Sequence, residues 1–197
     1  DTHPYADYDF MSTWCKEVEN EYPNFNIVGE AWYPRGTASA WWQKDSKMNE
    51  KNSNLKTVMD FDLTKTRKKA FGEVCSNNEG SEAGLFKIYE VIAQDFLFPN
   101  PNNVLTFLDN HDLGRFMQKG ETDLRRYKQA IAFLLTTRGI PQIYYGTEIL
   151  MTGTKAEGDG VIRTDFPGGW AGDPKNAFTP EGRTDLQNEA WNYMKKI

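Results

Sequence analysis

The spacing of apolar residues along the chain predicts helices that alternate with short buried strands. After Asp7, a residue type that caps helices, apolar residues recur three and four positions apart until about Glu21, and Pro23 then ends the pattern. The same period predicts four more helices, at 63–74, 84–97, 123–137 and 184–197. Short apolar runs without that period predict four buried strands, at 26–31, 55–61, 103–108 and 140–145.

Strands that alternate with helices indicate βα units and a parallel sheet with right-handed crossovers. Residues 35–54 lack a period and are expected to form a long loop with a helical turn. Residues 146–181 also lack one, and a loop of that length in a compact domain is usually functional. These patterns leave open whether the sheet is an open doubly wound one or part of a (β/α)₈ barrel. Both folds place ligands at the carboxyl ends of their strands.

The composition is that of a globular chain with an acidic surface. At 197 residues the chain corresponds to one domain or to one domain with a small attachment. Hydrophobic residues make up 39%, which is enough for a core, and the formal net charge is −5. That charge disfavours nucleic acid and anionic membranes as partners. The apolar runs are far shorter than the roughly 20 residues that span a bilayer, so no transmembrane helix is expected.

Several common chemistries have no motif in this chain. Cys15 and Cys75 are too few for a disulfide scaffold and lack the spacing of metal ligands, so both are expected to be thiols. The two histidines, His3 and His111, do not form an i,i+4 pair, and no metal ligand is assigned. Dinucleotide-binding, P-loop and serine-hydrolase motifs are absent from the sequence.

Polar residues are concentrated after two of the predicted strands. Glu30 follows the first strand, and Asp109, His111 and Asp112 follow the third. Carboxylates that converge from different strands suit acid/base catalysis, because their surroundings can keep one protonated and another ionised. Two structural alternatives remain at this point. Glu30 could cap a helix or lie in a solvated turn, and the Asp-Asn-His-Asp cluster could cap the next helix.

Three sequence blocks resemble conserved regions of the α-amylase family of glycoside hydrolases, and they occur in the family's order. They are GEAW at 29–32, FLDNHD at 107–112 and GIPQIYYGTEI at 139–149. The opening DTHPYADYDFM is similar to the segment that follows the GFRxD motif in the neopullulanase and cyclomaltodextrinase branch, with Asp1 as its aspartate. DFPGGW at 165–170 is similar to that branch too, and particularly to its Bacteroidetes members. The resemblance covers essentially the whole chain.

The resemblance implies a retaining α-glucan hydrolase. Residue by residue, it makes Asp1 the nucleophile, Glu30 the general acid and base, Asp112 the third carboxylate, and His111 a ligand of sugar hydroxyls. The implied reaction is a double displacement at α-1,4-glucosidic bonds of starch, maltodextrin, cyclodextrin or pullulan. The nucleophile and the acid are then expected to stand roughly 5–5.5 Å apart.

Aromatic and charged residues near these blocks are candidates for contact with substrate. Rings can stack on the apolar faces of pyranoses, although they could equally pack the loop over the sheet. The ring candidates are Trp32, Tyr33, Trp41 and Trp42. Arg163 and Asp165, in the last long loop, are expected to line the donor or acceptor sites.

The family resemblance also implies that residues 1–197 are the second half of a barrel. A (β/α)₈ barrel needs roughly 250 residues and eight strands, whereas this chain has four predicted strands and no sign of a separate second domain. We therefore expect a fragment of one catalytic domain that has little or no activity alone. The alternative is a non-catalytic half-barrel with a carbohydrate-binding or scaffold role.

Three further expectations concern the surroundings of such a fragment. Its exposed sheet edges favour self-association, so a homodimer is expected. The resemblance allows for calcium in the full-length parent, although the family's usual ligands precede Asp1. It also implies a periplasmic or extracellular location.

Overall fold

The computed structural model describes residues 1–73 and 83–197, and within them helices alternate with short strands. The helices are α1 Tyr8–Glu21, α2 Gly36–Trp41, α3 Phe61–Ala70, α4 Phe86–Ile92, α5 Arg125–Thr136, α6 Asp159–Ile162 and α7 Asp185–Lys196. The strands are β1 Val28–Gly29, β2 Thr57–Val58, β3 Leu105–Phe107 and β4 Ile140–Gln142. The predicted α/β class with parallel strands is confirmed.

The chain divides into two compact units. The first contains residues 1–106 and 137–142, and the second contains residues 107–136 and 143–197. Each unit is described by itself below. Within the described residues, no helix is long and apolar enough to cross a membrane.

The first unit contains the strands, apart from Phe107 at the end of β3. β1 and β2 are parallel, with Val28 opposite Thr57 and Gly29 opposite Val58. β3 pairs with β4, and a parallel bridge between Met59 and Leu105 connects the two strand pairs. All four strands fall inside the predicted runs but are only two or three residues long.

A buried apolar cluster fixes the first helix on these strands. Asp7 caps α1 by accepting a hydrogen bond from the Phe10 N–H at 2.8 Å, as its residue type predicts. Cys15 on α1 is fully buried with core residues that lie in or next to the strands and α2 or in the turn before β3, namely Ala31, Ala40, Trp42, Leu55, Val58, Phe98 and Val104. The helix and the end of β1 therefore belong to the same core.

One predicted helix differs from the structure. The stretch 84–97 is not one helix: α4 ends at Ile92, and a separate 3-10 helix covers Asp95–Leu97. Only Ile88 is buried among the apolar residues at helical spacing in this stretch, namely Leu85, Ile88, Tyr89, Ile92 and Phe96. Phe96 is 82% exposed, because the chain turns and inserts Phe98 into the core instead. The end of the 63–74 prediction and Cys75 lie outside the described residues.

The second unit is mainly helical. α5 buries Tyr127, Ile131 and Leu134, which lie on one face at helical spacing. α7 begins at a reciprocal capping box formed by Thr184 and Gln187. The predicted helices at both positions are confirmed. The stretch between β4 and α7 contains α6 and several 3-10 turns, and it supplies residues to the site described next.

Candidate active site

Glu30 lies directly after β1 in the first unit, and its side chain is buried. The residue is only 7% exposed. Its Oε2 accepts a hydrogen bond from the backbone N–H of Thr2 at 3.3 Å. Thr2, the residue that follows Asp1, therefore contacts the Glu30 carboxylate through its backbone. Asp1 itself is exposed.

A glycine makes room for this contact. An added Cβ on Gly29 would lie 2.4 Å from Leu55 Cδ2 and 3.2 Å from the His3 ring, so any larger residue before Glu30 would have to displace the buried Leu55 side chain. His3 is buried and contacts Trp42 edge-to-face at 5.6 Å. Burial lowers the pKa of His3 below its ordinary value, because the charged imidazolium would lose its hydration.

Trp32 stacks on Phe61, the first residue of α3. The ring centroids are 4.6 Å apart and the ring planes differ by 11°. Trp32 is 40% exposed, so part of this predicted binding residue is open to solvent. Next to Phe61, Asp62 accepts a hydrogen bond from Gly36 N–H at 2.9 Å, and burial raises the pKa of that carboxyl.

The other predicted ring platforms serve mainly as packing. Trp41 and Trp42 meet edge-to-face at 4.9 Å, and Tyr8 on α1 lies against both at 5.7 and 5.5 Å. Trp42 is buried, whereas Trp41 and Tyr33 are half-buried against the core cluster. These contacts favour the structural alternative for the pair of tryptophans.

In the second unit, the Asp-Asn-His-Asp cluster divides into a buried half and an exposed half. Asp109 is buried and accepts hydrogen bonds from Phe116 N–H at 2.6 Å and from Thr147 Oγ1 at 3.3 Å. Asn110 Oδ1 accepts from the N–H of Asp112 at 3.0 Å. The first two residues thus shape the turn, and they leave His111 and Asp112 partly exposed to solvent.

Arg163 joins His111 and Asp112 in one cluster. Its Nη2 donates to Asp112 Oδ1 at 2.5 Å, and its Nε donates to the backbone carbonyl of His111 at 2.9 Å. The other carboxylate oxygen, Oδ2, lies 3.0 Å from His111 Nε2. Three of the predicted site residues are therefore in direct contact. Asp165 is exposed, and no hydrogen bond to its carboxylate is present in the described part of the chain.

The sequence interpretation missed the residues that support Arg163. Tyr145 Oη donates to Thr164 O at 2.9 Å, and Tyr144 Oη donates to Ile162 O at 3.3 Å. The buried Arg115 guanidinium lies 4.0 and 4.9 Å from the centroids of the two tyrosine rings. The adjacent tyrosines at the end of the predicted strand 140–145 were the signal available in the sequence.

The described residues contain no arrangement for a metal ion. No group of three or more His, Cys, Asp or Glu side chains in residues 1–73 and 83–197 could hold one. The calcium that the family resemblance allows for therefore has no fitting ligand set in this part of the chain, and no chemical step is derived through it.

Fold and site together define an α/β protein with parallel strands and with carboxylates at the ends of strands, as in glycoside hydrolases with barrel folds. The model of the α-amylase catalytic domain matches residues 2–192, so the chain belongs to the α-amylase family of glycoside hydrolases.

Curated relatives agree with this assignment. A cyclomaltodextrin glucanotransferase of Thermoanaerobacterium thermosulfurigenes is 36% identical over 115 residues, which is 58% of this chain and 15% of the relative. An α-amylase of Niallia circulans is 33% identical over 148 residues, which is 74% of this chain and 25% of the relative. The chain thus spans about a quarter or less of the length of these relatives.

Solved structures match over nearly the whole chain. An α-amylase from Geobacillus thermoleovorans, solved as a complex with acarbose, has a TM-score of 0.68 at 26% identity and covers 98% of this chain and 37% of that one. A cyclomaltodextrinase has a TM-score of 0.69 at 20% identity, covering 100% of this chain and 29% of the other. The fold is therefore part of an α-amylase barrel, as the sequence resemblance implied.

Proposed function

We propose that the protein to which this chain belongs cleaves α-1,4-glucosidic bonds of starch, maltodextrin, cyclodextrin or pullulan by double displacement. The observation that carries the proposal is the buried Glu30 at the end of β1, with the Thr2 N–H on its carboxylate. Asp1 follows as the nucleophile because it adjoins that contact. The acarbose complex of the Geobacillus relative supports an α-glucan as the ligand class.

The chemistry assigns one role to each carboxylate. Glu30 protonates the leaving oxygen while Asp1 attacks the anomeric carbon and forms a glycosyl ester. Water then attacks the anomeric carbon while Glu30 takes its proton, which breaks the ester bond, releases the sugar and regenerates the Asp1 carboxylate and the protonated Glu30. Asp112 and His111 hold hydroxyls of the distorted sugar, and Trp32 supports a neighbouring ring. We place this protein in the neopullulanase and cyclomaltodextrinase branch, of the Bacteroidetes type.

A leaving-group comparison tests these roles. Fluoride leaves without protonation, so Glu30→Gln should lose much more activity on a maltooligosaccharide than on maltosyl fluoride. Asp1→Asn should lose activity on both substrates, because the nucleophile is needed for each. Azide can replace water in the second step without a base, so equal losses of Glu30→Gln on both substrates in the presence of azide would remove Glu30 from the role of general acid.

The second candidate is a half-barrel that binds carbohydrate or acts as a scaffold without turnover. It is favoured by Trp32, whose ring is 40% exposed and is held in a stack on Phe61. Calorimetric titration with maltoheptaose distinguishes the two. Binding that Trp32→Ala weakens, without any hydrolysis that Glu30→Gln removes, would support the binding role.

We also propose self-association of the chain. In the described residues β1 pairs with β2 alone, and Val28 in β1 and Ile143 after β4 are exposed. Unpaired strand edges with apolar side chains favour pairing with a second copy. Sedimentation velocity should show a dimer whose share rises with concentration. A monomer at both low and high concentration would contradict this proposal.

A further inference from the structure

We propose that Arg163 is a positioning residue that acts on the reaction through Asp112, and that the two tyrosines after β4 hold Arg163 in place. This inference rests on the proposed function for the role of Asp112. The contacts from which we argue are observed whatever the function of the protein is, and all of them lie within the second unit. The role that we propose for Arg163 differs from the one expected from the sequence: Arg163 orients a carboxylate and does not itself bind sugar.

The guanidinium of Arg163 contacts the backbone and the side chain of the same turn. Nε holds the carbonyl of His111 at 2.9 Å, and Nη2 holds the carboxylate of Asp112 at 2.5 Å. Two donors in a rigid plane therefore fix both where the turn lies and how the carboxylate is rotated. His111 Nε2 contacts the other carboxylate oxygen at 3.0 Å, so Asp112 is held from two sides.

The backbone of Arg163 is fixed on each side. The hydroxyl of Tyr144 reaches the carbonyl of the preceding residue, Ile162, and the hydroxyl of Tyr145 reaches that of the following residue, Thr164. Burial raises the pKa of Tyr144 from 10.0 to about 12, so its hydroxyl remains a donor well into the alkaline range. Arg115 lies against both rings and donates through Nη1 to the carbonyl of Tyr145.

Other charges near Arg163 leave it directed at Asp112. Asp159 on α6 lies one helical turn before Arg163, and its Oδ2 is 3.4 Å from Nη2. The other oxygen of Asp159 is paired with Lys155. The distance from Arg163 Nη2 to Asp112 Oδ1 is shorter, at 2.5 Å. Lys155 thus compensates the carboxylate that would otherwise compete for the guanidinium.

Exposure separates positioning from stability in this cluster. The side chains of Arg163 and Asp112 are 43% and 24% exposed, and ion pairs at that exposure add little to folding stability. Replacing Arg163 should therefore leave the unfolding midpoint nearly unchanged. An effect on turnover would then come from the orientation of Asp112.

Steady-state kinetics of the protein that carries this chain test the proposal. Arg163→Gln should lower kcat by about tenfold to a hundredfold, the range expected when a catalytic group is slightly misplaced, with KM changed far less. Arg163→Lys should not restore the rate, since an ammonium cannot hold both acceptors in one plane. Tyr145→Phe should lower kcat by a smaller factor. Tyr193→Phe is the matched control, because it removes a tyrosine hydroxyl from the Lys128 carbonyl at 3.1 Å.

The opposite kinetic pattern would overturn the proposal. A rise in KM at constant kcat would make Arg163 a sugar ligand, and a full rate in Arg163→Lys would show that charge alone suffices. NMR provides a readout without turnover, so that failure of the proposed function remains distinguishable. The Arg163 Nε–H should exchange slowly with solvent, and faster in Tyr145→Phe. Fast exchange in the unchanged chain would refute the clamp whether or not the protein is an enzyme.

Discussion

Arg138, just before β4, lies with its Nη1 2.8 Å from the carboxylate of Asp60, just after β2. The Asp60 side chain is 2% exposed and that of Arg138 is 12% exposed, so the pair is largely shielded from water. Asp95 binds the same guanidinium through Nε at 2.8 Å. Asp60 also caps α3 through Leu63 N–H at 2.9 Å, and this network therefore ties the start of that helix to the strand region.

Arg138→Met should strongly destabilise the chain. Removing one partner of a buried ion pair leaves an uncompensated charge, and such changes cost about 3–5 kcal/mol. Urea denaturation should report this loss in the free energy of unfolding. The exposed pair of Arg125 and Asp123 is the control, since Arg125→Met should leave the unfolding curve nearly unchanged.

A double variant separates the charge from the packing. Asp60→Asn retains an oxygen for the Leu63 N–H but carries no charge. The combination Asp60→Asn with Arg138→Met should therefore lose less stability than the sum of the two single changes, because each single change already breaks the same ion pair. If the two changes were simply additive, the buried charge would not be the cause of the loss.

Cys15 should be almost unreactive in the folded chain. Burial raises the pKa of this thiol from its ordinary 9.0 to about 11, with a smaller contribution from Glu19. Because the thiolate is the reactive form, alkylation in a Cys75→Ser background should be slow at pH 8 and should speed up until about pH 11. The urea-unfolded chain provides the reference rate. Equal rates in the folded and unfolded chain would contradict burial of the thiol.

The same shift fixes the sign of a stability change with pH. The folded state holds the Cys15 proton more tightly than the unfolded state does. The stabilisation is therefore complete below about pH 9 and decreases as the pH rises towards about 11. Cys15→Ala should flatten this part of the pH profile of the free energy of unfolding.

The sequence predicted elements whose determinants are local. α1 and α7 were found because Asp7 and Thr184 cap them and their apolar residues repeat at helical spacing. The prediction of one helix at 84–97 was wrong because Phe98 is buried in a core whose other residues are distant in sequence, and helical spacing cannot reveal that core. The spacing of apolar residues shows which face of a helix is apolar, but it does not show whether the rest of the chain covers that face.

The candidate site follows the same division. Glu30 and Asp112 could be selected because they follow apolar runs and match family motifs. The support of Arg163 by Tyr145 could not be predicted from the sequence, because no local pattern relates these two residues. Arg115 and Tyr145 contact across 30 positions, a separation that only the folded chain reveals.

Trp32→Ala should weaken α-glucan binding and cost a small amount of stability. The stack on Phe61 fixes the orientation of the indole, and an aromatic pair contributes about 0.5–1.5 kcal/mol beyond the area that it buries. Titration with maltoheptaose and urea denaturation measure the two effects separately. Trp32→Phe should retain most of both.

Trp14→Ala is the matched control for Trp32. Trp14 lies on α1 and is 44% exposed, close to the 40% of Trp32. It should lose a comparable amount of exposed ring without any change in affinity for maltoheptaose. If Trp14→Ala weakened binding as much as Trp32→Ala does, the stacking role of Trp32 would be lost.

Gly139→Ala should disrupt the pairing of β3 with β4. Gly139 has a φ of 98°, and a Cβ there would lie 2.4 Å from the carbonyl oxygen of Val104. That same oxygen accepts the Ile140 N–H at 2.8 Å, so the methyl group would displace an acceptor of the strand pair. We expect a loss of about 3 kcal/mol or more in the free energy of unfolding, together with faster hydrogen exchange at Ile140.

Gly120→Ala is the control for Gly139→Ala. Gly120 has a φ of 82°, but nothing lies within 4 Å of the methyl group that alanine would add. Only backbone strain of about 1–2 kcal/mol is therefore expected there. Equal losses in the two variants would show that strain, and not the Val104 carbonyl, makes glycine necessary before β4.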